Sequence, residues 1–296
     1  MDSGSMNVKT CVAALALLWP PVIGAQNAAL APQPTAIEGA TTHVYKSIGD
    51  VALRLHVFKP ARAEASAQKP VIVFFFGGGW RAGVLSQFVP QARHLADRGM
   101  VAIVADYRVF GRHGSTPFEA MADAKSALRW VRAHATELGV DPNRLAAAGG
   151  SSGGHLAAST AVFSTFDEPG EDLKVSSKPN ALVLFNPALD TSAIQQFGDR
   201  GRDGSPFHHL IANIPPTLIM HGKADSTVPY ESVDRFCAAS KALGNRCELV
   251  GYEGAAHGFF NPQNADGKWY RQTLLEADRF LTKLGYLPSP SPTQIQ

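Results

Sequence analysis

Two adjacent serines lie in the glycine-rich stretch GSSGG at positions 150–154, which fits the pattern G-x-S-x-G with Ser152 at its centre. An apolar run typical of a strand precedes the stretch, and a helical segment follows it. A strand–turn–helix setting of this kind presents a serine hydroxyl for attack, because the sharp turn leaves almost no room for neighbouring side chains. Ser152 is therefore the predicted nucleophile, and Ser151 is interpreted as structural.

A serine at neutral pH is a weak nucleophile and needs a histidine base that a carboxylate orients. Where the nucleophile lies on a strand–turn–helix, the partners follow it in the order acid, then histidine. Asp225 lies on the loop after the apolar run Thr217–Met220, and His257 lies on the loop after Cys247–Val250. Asp225 and His257 are the predicted acid and base.

Other residues compete for these two roles. Asp190, on the loop after the preceding apolar run, is a second candidate acid. His221 lies near Asp225 but precedes it in the chain, and His208 and His209 fall within a polar insertion. Chain order and loop position favour Asp225 and His257.

A third group could stabilise developing negative charge. Gly77, Gly78 and Gly79 follow the apolar run Val71–Phe76, and backbone N–H groups of such a loop can face an oxyanion. The partner donor is predicted at Gly153, directly after Ser152. Trp80 completes the motif and is a candidate substrate-binding residue. A phosphate-binding loop is excluded because no Gly-Lys-Ser/Thr follows the glycines.

Short apolar runs alternate with helical patterns along the chain. Such runs are typical of strands buried on both faces of a parallel sheet. After two strands within 41–59, the predicted strands cover 71–76, 101–105, 145–148, 181–185, 217–220 and 247–250. The predicted helices cover 88–98, 118–138, 155–163, 232–243 and 270–284. This alternation favours the α/β class, with a mostly parallel central sheet and helices on both faces.

The chain divides into a leader, one domain and a tail. A charge at Lys9, the short apolar run at 11–19 and small residues near position 25 predict a signal peptide over 1–25, too short to span a bilayer. A flexible leader (26–40), a single domain (41–286) with a small cap insertion at 188–213, and a disordered tail (287–296) are expected to follow. Export predicts a secreted or periplasmic protein in an oxidising compartment.

Charge and cysteine usage narrow the function classes further. The formal net charge of +2 over 296 residues does not indicate nucleic acid or an anionic membrane as a partner. Beyond the leader only Cys237 and Cys247 remain, on a predicted helix and the strand after it. In an oxidising compartment this placement favours a disulfide over two separate core residues.

Taken together, these motifs resemble the α/β-hydrolase esterases, close to hormone-sensitive-lipase-like carboxylesterases and to bacterial acetyl xylan or feruloyl esterases. The resemblance covers residues 45–285 and is carried by the glycine loop, the two serines and the loops of Asp225 and His257, together with the stretches DYR at 106–108, DPNR at 141–144 and HGFF at 257–260. One position departs from the family pattern: Phe76 stands where a histidine usually precedes the three glycines.

The resemblance implies a two-step acyl transfer by Ser152, His257 and Asp225 that needs no metal or cofactor. The expected substrates are small-molecule or polysaccharide-linked esters with short acyl, acetyl or feruloyl groups. Two alternatives stay open. Peptidases of the prolyl-oligopeptidase type share this set of residues, but they carry a large accessory domain. Non-catalytic binding proteins of the same fold typically lose one member of the triad, whereas this chain keeps a candidate for each.

Overall fold

The computed structural model describes residues 30–61 and 68–289, together with Met1. Its centre is an eight-stranded sheet in the order β1-β2-β4-β3-β5-β6-β7-β8. The strands are β1 (Thr41–Ile48), β2 (Val51–Phe58), β3 (Lys69–Phe75), β4 (Val101–Ala105), β5 (Val140–Gly150), β6 (Ala181–Phe185), β7 (Thr217–Gly222) and β8 (Cys247–Tyr252). Only the β1–β2 and β2–β4 pairs are antiparallel, so the sheet is mostly parallel, as predicted.

The helices pack against this sheet and bury its central strands. They are α1 (Val89–Asp97), α2 (Phe110–His113), α3 (Pro117–Ala133), α4 (Ala135–Leu138), α5 (Ser152–Val162), α6 (Tyr230–Ala242) and α7 (Lys268–Lys283). Every residue of β4, β6 and β7 is buried. Strands buried along their whole length are covered on both faces, which explains their continuous apolar sequences.

The parallel strands determine where chemistry can occur. From β3 through β8, neighbouring strands run in the same direction, so their carboxyl ends lie along one edge of the sheet. The loops after β3, β5, β7 and β8 carry the glycine loop, the two serines, Asp225 and His257 respectively. Ligands of open α/β sheets bind outside this edge.

The segment 188–213, predicted as a small cap, consists of turns with one six-residue 3₁₀ helix, Gln195–Arg200. It is anchored by Phe197, which is buried and packs edge-on against the rings of Trp80 and Phe118. The segment therefore covers the carboxyl edge of the sheet as an ordered loop.

The predicted leader and tail each include described residues. In the leader predicted over 26–40, Gln33 and the backbone carbonyls of Ala31 and Glu38 form hydrogen bonds with the domain. In the tail predicted over 287–296, Leu287 is buried. The rest of the predicted signal peptide after Met1, the leader residues 26–29 and the tail residues 290–296 lie outside the described residues.

The two cysteines form the expected disulfide. Cys237 on α6 and Cys247 at the start of β8 are bonded, with their Cα atoms 5.6 Å apart. The bond joins the middle of α6 to the first residue of the strand that follows it. Separately, no helix of the described residues is long and apolar enough to cross a bilayer.

Candidate active site

Ser151, and not Ser152, lies at the centre of the site. Its Oγ is 3.0 Å from Nε2 of His257. Its backbone has φ 54° and ψ −119°, a conformation that costs a non-glycine residue about 1–3 kcal/mol. The strain is held by the Ser151 N–H, which donates to the Phe185 carbonyl at 3.0 Å. This strained turn between β5 and α5 is the geometry of a nucleophile elbow.

The glycines around the serines explain why Ser151, and not Ser152, lies at the centre of the turn. The sequence GGSSGG at 149–154 contains two overlapping G-x-S-x-G matches, one centred on each serine. A Cβ added to Gly149 would lie 2.4 Å from the backbone of Gly153, and one added to Gly153 would lie 2.1 Å from the Phe75 carbonyl oxygen. Gly149 and Gly153 thus meet across the turn, and the serine midway between them is Ser151.

The prediction of Ser152 as nucleophile is therefore wrong. Ser152 begins α5, its side chain is fully buried, and its hydroxyl faces that of Tyr107. The Tyr107 hydroxyl in turn donates to the Phe76 carbonyl at 2.7 Å. A hydroxyl directed into the core cannot reach a substrate at the edge of the sheet.

His257 and Asp225 are brought together as predicted. Nδ1 of His257 lies 2.7 Å from Oδ2 of Asp225. Since a carboxylate only accepts, Nδ1 carries the proton and Nε2 is left to accept one from Ser151. The ring is about a quarter exposed, while the carboxylate is fully buried. The base can thus meet a substrate, whereas the acid is shielded from water.

Asp225 is held as a carboxylate by several donors. The N–H groups of Thr227 and Val228 each donate to its Oδ1 at 2.9 Å. Nε2 of the buried His221 lies 3.2 Å from its Oδ2 and 2.8 Å from the Val228 carbonyl oxygen. Burial alone would raise the pKa of Asp225, but the hydrogen bonds from His221, His257 and Val228 hold it well below its ordinary value.

The competing candidates lie in other hydrogen-bond networks. Asp190 accepts from the Ser192 N–H and hydroxyl and contacts Arg235, without reaching His257. His208 bonds to the Ser205 hydroxyl, and His209 bonds to a backbone carbonyl. His221 supports Asp225 in place of acting as the base.

The glycine loop lies directly beside Ser151. A Cβ on Gly77 would be 3.3 Å from the Ser151 Cβ and 2.9 Å from the Gly150 carbonyl oxygen. Gly78 and Gly79 have φ of 141° and 62°, which favour glycine. Their amides donate no hydrogen bond to any residue that the structure describes. They are therefore free to face an oxyanion.

Two of the predicted oxyanion donors need correction. The Gly77 N–H donates to Oε1 of Gln87 at 2.6 Å and is already satisfied. The prediction of Gly153 depends on Ser152 as nucleophile, but the residue after Ser151 is Ser152 itself. The Ser152 N–H is one of the first amides of α5, which have no partner within the helix. The donor set becomes the amides of Gly78, Gly79 and Ser152, while Gly153 serves close packing against β3.

Phe76 stabilises the glycine loop where the family pattern has histidine. Its buried ring stacks on Tyr107 with centroids 4.1 Å apart. At Gly83, which has φ 116°, the chain turns back and passes so close to Phe76 that a Cβ would lie 2.4 Å from the Phe76 ring. The loop is thus held by aromatic packing and by glycine.

Trp80 lies where the glycine loop meets the segment 188–213. Its ring packs edge-on against His155, one turn along α5 from Ser151, at 5.0 Å between centroids. It lines a cavity of about 330 Å³ together with Phe110, Gln195 and Gln196. Among the described residues, no group of three or more histidine, cysteine, aspartate or glutamate side chains could hold a metal ion.

Comparison with known proteins places this geometry in a family. The family model described as BD-FAE matches residues 55–199, and that of the prolyl oligopeptidase family matches residues 191–282. The structure of Thermogutta terrifontis esterase 2 phosphorylated by paraoxon is 50% identical, with a TM-score of 0.83, over 86% of this chain and 97% of that chain. The chain belongs to the α/β-hydrolase esterases.

Relatives of this esterase family extend the same conclusion. Esterase LipC of Mycobacterium tuberculosis is 32% identical over 64% of this chain and 53% of its own length. A probable isoprenylcysteine alpha-carbonyl methylesterase of Arabidopsis thaliana is 29% identical over 69% of this chain and 48% of its own. The chain spans about half the length of these curated relatives. Both of these relatives are named as esterases.

Sequence reasoning missed several residues around this esterase site. Gln87 and His221 act through other residues, and no motif marks them. The Asn186 side chain accepts from the Gly258 N–H at 3.2 Å and holds the loop of His257. Asn186 follows β6 directly, and its position at a carboxyl strand end was the one available signal.

Proposed function

We propose that this carboxylesterase hydrolyses short-acyl esters by an acyl-enzyme mechanism with Ser151 as nucleophile, His257 as general base and Asp225 as the group that orients His257. The observation that carries the proposal is the pair of contacts on one imidazole, 2.7 Å to Asp225 and 3.0 Å to Ser151. An imidazole bonded on both sides in this way can accept the serine proton while its second nitrogen stays protonated.

The reaction follows from these positions. Ser151 Oγ bonds to the ester carbonyl carbon as its proton passes to Nε2 of His257. The carbonyl oxygen becomes an oxyanion, to which the amides of Gly78, Gly79 and Ser152 donate. The imidazolium returns the proton to the alkoxy oxygen, the C–O bond breaks, and the alcohol leaves. Water then attacks the acyl carbon as its proton passes to Nε2 of His257, the bond from Ser151 Oγ to the acyl carbon breaks, the proton returns to Oγ, and the carboxylic acid leaves.

Short acyl groups are supported by the ligands of a relative. Structures of the Thermogutta terrifontis relative are described as propionate bound and butyrate bound, each 47–48% identical to this chain. Acetyl and feruloyl esters, free or linked to a polysaccharide, are included in the proposed range.

The proposal extends to export. The apolar run at 11–19 and the small residues after it have the composition of a cleavable signal peptide. The Cys237–Cys247 bond is of a kind that persists in oxidising compartments. Expression in a bacterial host tests this, since a mature N-terminus near residue 25 in the periplasm or medium is expected. An unprocessed protein in the cytoplasm would contradict it.

The proposed substrate class is tested with p-nitrophenyl esters of increasing acyl length, methyl ferulate and an aminoacyl-proline amide. The amide is included because part of the chain matches the prolyl oligopeptidase family. We expect kcat/KM to be highest for two to four acyl carbons, and Ser151→Ala to abolish turnover. Faster cleavage of the amide than of any ester would overturn the proposal in favour of a peptidase. A maximum at long acyl chains would reject the short-acyl class.

A further inference from the structure

Residues 30–38, which precede the first strand, cross the domain surface and meet the far side of the glycine loop. Gln33 bonds to this loop through both ends of its amide. Its Nε2 donates to the Gly83 carbonyl at 3.3 Å, and its Oε1 accepts from the Leu85 N–H at 3.2 Å. The backbone groups of Gly83 and Leu85 thus bond to a side chain that is some 50 residues away in sequence.

Arg112 reinforces the same contact. Its Nη2 donates to the Gly83 carbonyl at 2.6 Å, and its Nε donates to the Ala31 carbonyl at 2.8 Å. Arg112 therefore joins the N-terminal segment to the carbonyl that Gln33 also holds. Farther along, Nη2 of Arg93 donates to the Glu38 carbonyl at 2.6 Å and fixes the other end of the segment.

Gly83 is in direct contact with the residues beside Ser151. A Cβ on Gly83 would lie 2.1 Å from the Gly77 carbonyl oxygen, and one on Gly78 would lie 2.8 Å from the Gly83 nitrogen. Gly77 in turn lies against Ser151, and its N–H is held by Gln87, two residues after Leu85. A shift of Gly83 or Leu85 would therefore move the amides that face the oxyanion.

We infer that residues 30–38 form part of the active site and that Gln33 is a positioning residue, holding Gly83 and Leu85 so that the Gly78 and Gly79 amides point at the oxyanion. The inference rests on the proposed acyl-transfer function. Oxyanion donors act on the transition state more than on the bound substrate, so their misplacement lowers kcat. Gln33 touches no substrate and contributes only through the loop.

The test compares Gln33→Met, which keeps the side-chain length but neither hydrogen bond, with Gln33→Glu, which keeps the acceptor for Leu85. Gln272→Met, an exposed position on α7, is the matched control. For Gln33→Met we expect kcat to fall about tenfold with KM changed by less than about twofold, since two neutral hydrogen bonds are lost. Gln33→Glu should lose less, and Gln272→Met should match the wild type.

A transition-state analogue separates positioning from a merely structural role. The Ki of a trifluoromethyl ketone, whose serine adduct is tetrahedral, should rise in Gln33→Met by the same factor by which kcat/KM falls. Unchanged kcat and Ki in a folded Gln33→Met enzyme, or a loss confined to KM, would overturn the inference. An inert wild type would instead refute the proposed function, so the two failures are distinguishable.

Discussion

Replacing each of the two adjacent serines by alanine tests the central assignment of the site. Ser151→Ala removes the hydroxyl that lies 3.0 Å from His257. Ser152→Ala removes a fully buried hydroxyl but keeps the backbone amide at the start of α5. The two substitutions delete the same atom from neighbouring positions, so each is the matched control for the other.

The structure predicts very different losses of activity for the two substitutions. Loss of the nucleophile in a serine hydrolase lowers kcat by about 10⁴–10⁶-fold. Loss of the Ser152 hydroxyl leaves the Tyr107 hydroxyl bonded to the Phe76 carbonyl and should cost about 1 kcal/mol of unfolding free energy. Because its amide stays in place, kcat/KM of Ser152→Ala should remain within about threefold of the wild type.

The assay combines steady-state hydrolysis of p-nitrophenyl butyrate with covalent labelling by a fluorophosphonate. Tandem mass spectrometry of the labelled peptide distinguishes the two serines, and thermal unfolding shows whether each variant is folded. We expect label on Ser151 in the wild type and in Ser152→Ala, and none in Ser151→Ala. Label on Ser152, or inactivity of a folded Ser152→Ala enzyme, would refute the argument from the Gly149–Gly153 contact.

Three further predictions concern His221 beside Asp225, the buried His155 and the disulfide. In steady-state kinetics, His221→Met should lower kcat about tenfold with little change in KM, because Asp225 loses a donor. His221→Gln keeps an N–H and should retain most of the wild-type kcat. Burial lowers the pKa of His155 from 6.5 to about 4. The unfolded chain therefore binds an extra proton between these values, and the free energy of unfolding should fall by up to about 3 kcal/mol as pH decreases through this window; denaturant unfolding should show a flatter profile for His155→Gln. Serine at Cys237 and Cys247 should lower the unfolding free energy by about 3 kcal/mol, given the ten-residue separation, and a reductant should destabilise the wild type equally in a thermal scan.

Much of the fold could be predicted because the buried strands have continuous apolar sequences. β4, β6 and β7 are buried on both faces, so their sequences are continuous apolar runs whose bounds are sharp. Chain order then placed Asp225 and His257 correctly, since parallel strands bring their carboxyl ends to one edge. The longest predicted helix, 118–138, is interrupted at His134, whose φ of −101° and ψ of 22° leave the helical region. No glycine or proline marks that break.

The nucleophile could not be fixed in this way, because a pattern that tolerates any residue at two positions matches GGSSGG twice. What decides between the matches is which glycines approach backbone. A Cβ on Gly149 or Gly153 would lie only 2.4 Å or 2.1 Å from backbone atoms. A Cβ on Gly150 would meet the Phe260 ring, and one on Gly154 would lie no closer than 3.0 Å to any backbone atom. The first pair therefore has the tighter backbone contacts and the stricter requirement for glycine. That distinction exists only in three dimensions.

The N-terminal segment shows a different limit of sequence reasoning. Residues 30–40 are small, polar and rich in proline, a composition that buries little apolar area and so predicts mobility. Ile37 and Ala40 pack against the core, and the other contacts are hydrogen bonds, in which Ala31 and Glu38 take part through backbone carbonyls that any residue would offer. Of these bonds only those of Gln33 use one of the segment's own side chains, and a single glutamine in a polar stretch carries no signal. Pattern and composition therefore do not reveal that the glycine loop is held by single side chains such as Gln33 and Arg112, which are distant from it in sequence.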